Sequence, residues 1–191
     1  MTDFARLMSD YFVKYLAGQK GSGSNTMKTY RDTFVQLLEF MDEKKHIRAD
    51  CIEVDSFSYD IINEFLEYLE KEKRVSISTR NNRLAAIRSF FKYTGYHEPK
   101  YLNISTSIRE ISKKKTEGRQ MNYLSVNAME HFLNSFDKTD HKELRCFCIV
   151  LLLYESGARV TELCNVRRYD LHLEKPYTMI LHGKGDKIRS V

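Results

Sequence analysis

Residues 154–171 read YESGARVTELCNVRRYDL, and they join two different kinds of sequence. An apolar run ends at Gly157, and a short amphipathic segment begins at Arg159, with Glu162 about one helical turn later. A guanidinium at the start of a helix suits an anion, because the free backbone N–H groups there also attract negative charge. Two interpretations stay open at this point: Arg159 forms a structural ion pair with Glu162, or it binds an anionic ligand.

The sequence on either side of this joint predicts mixed α and β structure. Upstream, NYLSVNAMEHFLNSF starts a helical pattern after Ser125, a residue type common at helix N-termini. HKELRCFCIVLLLYES, residues 141–156, is apolar around most of its circumference in its second half, which predicts a helix buried at the centre of a domain. RVTELCNV predicts a short further helix. YTMILHGKGDKIRSV, residues 177–191, predicts a β-hairpin around its Gly-Lys-Gly-Asp turn.

The N-terminal part of the chain predicts a small helical bundle. Apolar residues recur there at i, i+3 and i+4, the spacing of one helix face. The predicted helices cover Asp3–Ala17, Thr26–Glu43, Tyr59–Lys71 and Ser78–Thr94, and Gly95 is expected just past the end of the last one.

A polar and basic stretch, IREISKKKTEGRQ, separates these two parts. It predicts a linker over residues 108–121, after a helical domain of residues 1–107 and before a mixed domain of residues 122–191. Lys113 and Lys114 of this linker could follow a phosphate backbone, or they could simply keep the linker solvated. The expected fold class is mainly α: a helical bundle, followed by the start of a mixed α/β domain with a β-hairpin.

Composition indicates an intracellular protein. The chain has 191 residues, a formal net charge of +5 and four cysteines without metal-binding spacing, which predict buried, reduced thiols. The N-terminus does not resemble a signal peptide, and the longest apolar run, CFCIVLLLY, is far too short to span a bilayer. We therefore expect a cytoplasmic protein with no membrane association.

Positive charge is segregated along the helical part. DIINEFLEYLEKE is acidic, whereas KRVSISTRNNRLAAIRSFFK, residues 73–92, is almost purely basic. Segregated positive charge is typical of proteins that bind nucleic acid, although a solvated helix face gives the same pattern.

Lys184 stands between two glycines in the predicted hairpin. The glycines allow a tight turn and a close approach of the backbone to a ligand, but a solvated turn lysine is the simpler alternative. No Gly-x-x-x-x-Gly-Lys-Ser/Thr string is present in the sequence, so the segment does not predict a nucleotide-binding loop.

The two segments together are more specific than either alone. SGARVTELCNVRRYDL followed by ILHGKGDKIRSV closely resembles the front half of the catalytic domain of the tyrosine recombinases, the phage-type integrase and Xer family. That family shows a Gly-x-Arg-apolar-Ser/Thr-Glu-Leu string and, further on, Gly-Lys-Gly-x-Lys-x-Arg. Upstream, SNTMKTYRDTFVQLLEFM and SISTRNNRLAAIRSFFKY resemble helices of the family's core-binding domain, so the resemblance covers nearly the whole chain.

The resemblance implies a site-specific DNA recombinase, or integrase. Arg159 would bind the scissile phosphate, Lys184 would act as general acid toward the departing 5′-hydroxyl, and Glu162 would support the site. The implied partners are double-stranded DNA and, for the intact protein, a homotetramer on that DNA. No metal, nucleotide or other cofactor is implied, because a covalent 3′-phosphotyrosine conserves the energy of the broken bond.

The same resemblance implies DNA contacts in the helical domain, on helix faces that lie away from the apolar stripes. The predicted contacts are Thr26, Lys28 and Arg31 in the second helix, Thr79, Arg80 and Arg83 in the fourth, and Lys113 and Lys114 in the linker.

The family's later elements, a His-x-x-Arg motif and the nucleophilic tyrosine, have no counterpart in these residues. We therefore expect this chain to lack the nucleophile and to be inactive alone. Two alternatives stay open: a non-catalytic DNA-binding regulator of recombinase-like architecture, and a helical protein-interaction module with an incidental hairpin.

Overall fold

A computed structural model of the chain describes residues 1–116, 118, 122–183, 185 and 187–191. The described residues fall into two compact units, Met1–Gly118 and Arg119–Val191. The first unit is helical, and the second combines helices with a small antiparallel sheet. The predicted fold class, mainly α with a β-hairpin in the second part, is confirmed.

The described residues of the first unit form five α-helices. Their bounds are α1 Asp3–Asp10, α2 Ser24–Lys45, α3 Tyr59–Lys71, α4 Ile77–His97 and α5 Leu102–Glu110, and α1 continues as a π-helical segment, Tyr11–Gln19. Side-chain caps set three of the starts: Thr2 Oγ1 accepts from the N–H of Ala5, Ser58 Oγ from that of Ile61 and Ser76 Oγ from that of Thr79, each at 3.2 Å. Each such cap stabilises its helix by about 1 kcal/mol. The predicted bounds of α3 are confirmed.

Aromatic side chains fill the core of the first unit. The ring of Phe90 on α4 packs edge-on against those of Phe4, Tyr11 and Phe34, with centroids 5.5, 5.4 and 5.3 Å away. All four side chains are buried. Edge-to-face pairs add about 0.5–1.5 kcal/mol each to the stabilisation from burial alone. This cluster fixes α4 against the helices on either side of it.

Helix α5 was not predicted, and it moves the end of the first unit. Ile108 and Ile111 are buried in the core of that unit. Together with Ile104 they lie at i, i+4 and i+7, which is one helix face inside an otherwise polar stretch. The predicted start of the linker at residue 108 is therefore too early.

The prediction that Gly95 lies just past the end of the fourth helix was also wrong. Gly95 lies inside α4, which continues to His97, and it does not follow the end of the helix. Helix α5 packs so closely there that a Cβ atom on Gly95 would come within 2.7 Å of both Cβ and Oγ of Ser105. The glycine permits the two helices to approach each other.

The segment after α5 stays attached to α4. The side-chain amide of Asn81 pairs with both backbone groups of Lys114, donating to its carbonyl at 2.8 Å and accepting from its N–H at 3.1 Å. Arg88 donates to the carbonyl of Arg109 at 2.6 Å and also to that of Ile111. The chain is therefore held on the first unit as far as Lys114.

The described residues of the second unit form three α-helices and three strands. Its described elements are α6 Val126–Asn134, α7 His141–Ser156, α8 Val160–Cys164, β1 Leu171–His172, β2 Thr178–His182 and β3 Ile188–Ser190. The strands form an antiparallel sheet in the order β1-β2-β3. Ser125 caps α6 and Gly157 ends α7 with a φ of 58°, so both predicted helix boundaries are confirmed. The predicted hairpin is β2–β3.

Helix α7 is not enclosed by the described residues of its unit. Leu144, Ile149 and Leu152 are 36%, 40% and 42% exposed. All four cysteines are free, and all are exposed. The predictions of a central buried helix and of buried thiols are therefore wrong here. For the helix and for Cys146 and Cys148 on it, the reason is that the described elements cover only part of the circumference of α7.

Two further findings concern only the described residues. None of the helices they form is both long enough and apolar enough to cross a membrane. They also contain no cluster of three or more His, Cys, Asp or Glu side chains that could hold a metal ion.

Candidate functional site

The carboxylate of Glu162 lies at the centre of the predicted site. Its side chain is 3% exposed, and its Oε2 accepts the backbone N–H of Arg159 at 3.0 Å. The Arg159 guanidinium donates from Nη1 to the other oxygen, Oε1, at 2.5 Å. The side chain of Arg159 is nevertheless 70% exposed. The ion pair and an outward-facing guanidinium therefore occur together, and the first interpretation does not exclude the second.

Arg189 on β3 is a second cationic partner of the same carboxylate. Its Nη2 donates to Glu162 Oε2 at 2.9 Å and to the carbonyl of Gly157 at 3.3 Å. Sequence reasoning did not assign this residue a role. A signal was present, because Arg189 is the final arginine of the Gly-Lys-Gly-x-Lys-x-Arg string.

These donors keep Glu162 ionised. The backbone N–H and then the guanidinium of Arg159 hold the pKa of Glu162 below its ordinary value, and Arg189 adds to this effect, whereas burial acts in the opposite direction. Two guanidinium groups around one carboxylate leave a net positive charge of one at the cluster. An anion is the complementary ligand for such a cluster.

Asp170, which ends the 3₁₀ turn Arg168–Asp170 before β1, is a second buried carboxylate and contacts the other strand of the hairpin. Its side chain is 4% exposed; Oδ2 accepts the backbone N–H of Arg167 at 2.8 Å, and Oδ1 lies 3.2 Å from Nε2 of His182 on β2. The N–H of Arg167 lowers the pKa of Asp170 and His182 lowers it further, while burial opposes them. Each strand of the hairpin is thus joined to a buried carboxylate.

Lys184 lies outside the described residues, so its predicted role stays a prediction. The neighbouring Gly183 is described: its N–H donates to the carbonyl of Lys187 at 2.7 Å. A Cβ atom on Gly183 would come within 3.2 Å of Glu162 Oε1 and within 3.2 Å of that same carbonyl oxygen. The glycine before Lys184 therefore packs directly on the carboxylate that binds Arg159.

The predicted DNA contacts on α2 lie at the surface. Lys28 and Arg31 are exposed, and Thr26 is partly exposed near the start of the helix. The predictions for Lys28 and Arg31 therefore agree with their position on a solvent-facing side, although DNA contact itself stays a prediction.

Arg80 on α4 does not face solvent, which corrects its predicted position. Its side chain is 7% exposed, and its Nε lies 2.9 Å from Oε1 of Glu70 on α3. Arg80 also donates from Nη1 to the carbonyl of Ser112 at 3.4 Å. The basic pattern of α4 did not reveal this, because α3 and the segment after α5 cover that part of the helix.

The other predicted residues of α4 also make contacts within the first unit. Arg83 donates from Nη1 to the carbonyl of Thr29 at 2.9 Å and to Oγ1 of Thr33 at 3.2 Å, which joins α4 to α2. Thr79 is partly exposed, and its side chain shares a hydrogen bond of 3.0 Å with the capping hydroxyl of Ser76.

Lys113 and Lys114 differ in their surroundings. Both are exposed, but Nζ of Lys114 lies 2.8 Å from Oε2 of Glu70. Glu70 therefore binds Lys114 and Arg80 with its two oxygens. Neither lysine belongs to a freely extended linker, since both precede the end of the first unit at Gly118.

Two family models match this chain, one within each of the two units. The phage integrase N-terminal SAM-like domain matches residues 10–99. The phage integrase family matches residues 122–191. The chain belongs to the phage integrase family, which is that of the tyrosine recombinases.

Curated relatives agree with this membership. An integrase/recombinase named y4rC, from Sinorhizobium fredii, is 28% identical over 185 residues, which are 97% of this chain and 56% of that protein. Another from the same organism, y4rD, is 29% identical over 98% of this chain and 67% of its own length. Tyrosine recombinase XerC of Staphylococcus aureus is 27% identical over 96% of this chain and 58% of that protein. The chain thus spans between about half and two thirds of these relatives.

Solved structures share the fold. The XerH site-specific recombinase bound to palindromic difH substrate matches with a TM-score of 0.65 and 23% identity, over 96% of this chain and 52% of that one. The Tn1549 transposon integrase in complex with transposon right end DNA matches with a TM-score of 0.63 and 20% identity, over 100% of this chain and 57% of that one.

Proposed function

We propose that this chain is the DNA-binding portion of a site-specific recombinase and that Arg159 holds a backbone phosphate of duplex DNA. The observation that carries the proposal is the contrast at the Arg159–Glu162 pair: the guanidinium is 70% exposed, while the side chain of its counter-ion is 3% exposed. A guanidinium has five N–H donors in a planar fork, so donors remain for a phosphate after Glu162 is satisfied. The family membership and the DNA bound to the XerH and Tn1549 proteins support the choice of DNA as the ligand.

In the proposed reaction of the whole protein, a tyrosine hydroxyl attacks the phosphorus and the 5′-oxygen of the broken strand leaves. Arg159 stabilises the negative charge on the non-bridging oxygens of the pentacoordinate transition state. Lys184 supplies a proton to the leaving oxygen. The phosphotyrosine conserves the energy of the broken bond, so the scheme requires no metal ion and no nucleotide.

The proposal also concerns the assembly and its setting. Joining four strand ends requires several copies at one site, and we propose a homotetramer on DNA for the whole protein. The relatives described above include bacterial proteins, and we place the action of this one in the bacterial cytoplasm, where the DNA lies.

Replacing Arg159 by alanine tests the phosphate contact. We expect Arg159→Ala to weaken binding to a duplex DNA probe and to make the plot of log affinity against log salt concentration shallower by about 1, the loss of one phosphate contact. Arg145→Ala is the matched control, because Arg145 is an exposed arginine on α7 of the same unit. Equal slopes for Arg159→Ala and the unmodified chain would contradict the proposal.

Tyr169 tests the proposed lack of a nucleophile in this chain. It lies close to Arg159 in the sequence, is 73% exposed, and its hydroxyl accepts from Nη1 of Arg167 at 3.0 Å. We assign it no nucleophilic role, so incubation of the chain with nicked duplex DNA should give no band of covalent adduct on a denaturing gel. A covalent adduct that is lost in Tyr169→Phe would refute this assignment.

A further inference from the structure

The hairpin β2–β3 is joined to the preceding chain through both of its strands. On β3, Arg189 reaches Glu162 of α8 at 2.9 Å. On β2, His182 reaches Asp170 at 3.2 Å. The Arg189 contact is of special interest, because it involves the carboxylate that also binds Arg159.

Arg189 contacts both ends of the short stretch from which Arg159 projects. One end is the carbonyl of Gly157, where α7 stops, and the other is Oε2 of Glu162 in α8. The same Oε2 accepts the backbone N–H of Arg159 at 3.0 Å. Removal of Arg189 would therefore leave Arg159 as the one remaining hydrogen-bond donor to Glu162 among the described residues, and the carboxylate that holds the Arg159 guanidinium would be less firmly fixed.

We infer that Arg189 is a positioning residue: by holding Glu162 and the Gly157 carbonyl, it fixes the Arg159 guanidinium relative to the hairpin in which Lys184 falls. The inference rests on the proposed function in one respect, that Arg159 binds a DNA phosphate. Both contacts come from Nη2, whose two N–H bonds are held at fixed angles in the guanidinium plane, whereas the ammonium of lysine rotates freely and is less pre-organised for the two acceptors.

A competing role for Arg189 is a direct phosphate contact of its own. Its side chain is 41% exposed, so a donor of its fork could reach an anion. The two roles predict different double-mutant behaviour. A positioning residue acts through Arg159, so the effects of the two changes are not additive, whereas two independent phosphate contacts add.

The first experiment needs no DNA. Amide hydrogen exchange at Arg159 is measured by NMR in the 191-residue chain, in Arg189→Met and in Arg189→Lys. We expect faster exchange at the Arg159 N–H in Arg189→Met and an intermediate rate in Arg189→Lys, which keeps the charge but loses the planar guanidinium. Lys175→Met, an exposed cation in the β1–β2 connection, is the control and should leave this rate unchanged. Unchanged exchange in both Arg189 variants would overturn the inference.

The second experiment uses duplex DNA and the salt slope. We expect Arg189→Met to lower the slope by about as much as Arg159→Ala, about 1, and the double variant to lower it no further. A loss of about 2 in the double variant would overturn the positioning role in favour of direct contact. If Arg159→Ala leaves the slope unchanged, the proposed function fails, and the exchange rates still decide whether Arg189 positions Arg159.

Discussion

At the scale of single residues, the cost of burying a carboxylate explains how Arg159 is held. An ionised carboxyl group is costly to remove from water unless donors replace its hydration. Glu162 receives three such donors: the backbone N–H and the guanidinium of Arg159, and the guanidinium of Arg189. Because Glu162 is nearly inaccessible, it fixes one side of the Arg159 fork and leaves the other side toward solvent.

This arrangement predicts a pH-dependent stability difference between the unmodified chain and Glu162→Gln. The folded pKa of Glu162 is lowered, so its ionised form stabilises the folded state above the unfolded pKa, about 4.3 for glutamate. That contribution is lost as pH falls through the lower, folded pKa. We expect Glu162→Gln to melt at a lower temperature at neutral pH and the difference to shrink below about pH 4. Melting curves across this range test it, and a difference that grows with acidity would contradict it.

The sequence predicted the surroundings of Arg159 better than those of Arg80, and the reason is the distance along the chain to the partner of each. The contact of Arg159 with Glu162 could be predicted, because Arg159 immediately precedes α8 and Glu162 is the third residue of that helix, the local arrangement of a capping box. The burial of Arg80 could not, because its partner Glu70 lies on another helix. Nothing in the local pattern of α4 encodes the approach of α3.

At the scale of elements, the helices of the first unit were predictable where periodicity and a cap coincide. The bounds of α3 follow from the Ser58 cap and a clear apolar face. Helix α5 was missed, because Ile104, Ile108 and Ile111 are spread through a stretch whose composition resembles a linker. Its close packing on α4 at Gly95 depends on tertiary structure and has no local signal.

The contact at Gly95 predicts a specific loss of stability. In Gly95→Ala the new methyl group would lie 2.7 Å from Cβ of Ser105, so α4 and α5 must separate. Overpacking costs about 1–3 kcal/mol, and it outweighs the gain of about 1 kcal/mol in helix propensity. We expect a net loss of about 1 kcal/mol in urea unfolding. The double variant Gly95→Ala/Ser105→Gly removes the clash and serves as control, although its second glycine has a cost of its own. Close packing is not the cause if the free energy of unfolding of the double variant is no higher than that of Gly95→Ala minus this cost.

At the scale of the whole molecule, the basic residues divide into those that bind other parts of the protein and those that face solvent. The net charge of +5 does not distinguish them. Glu70 binds Arg80 and Lys114, and Glu162 binds Arg159 and Arg189. The salt dependence of DNA binding reports only the cations that contact phosphate, so it can separate structural from DNA-binding residues across both units.

This separation predicts opposite results for α2 and for Arg80. Lys28 and Arg31 are exposed, so Lys28→Ala/Arg31→Ala should lower the salt slope by about 2 with little change in stability. Arg80 is buried against Glu70, so Arg80→Ala should cost about 3 kcal/mol in urea unfolding and leave the slope unchanged. If both units contact DNA together, adding Arg159→Ala to the α2 variant should bring the total loss of slope to about 3. A slope lowered by Arg80→Ala at unchanged stability would instead return Arg80 to the DNA interface.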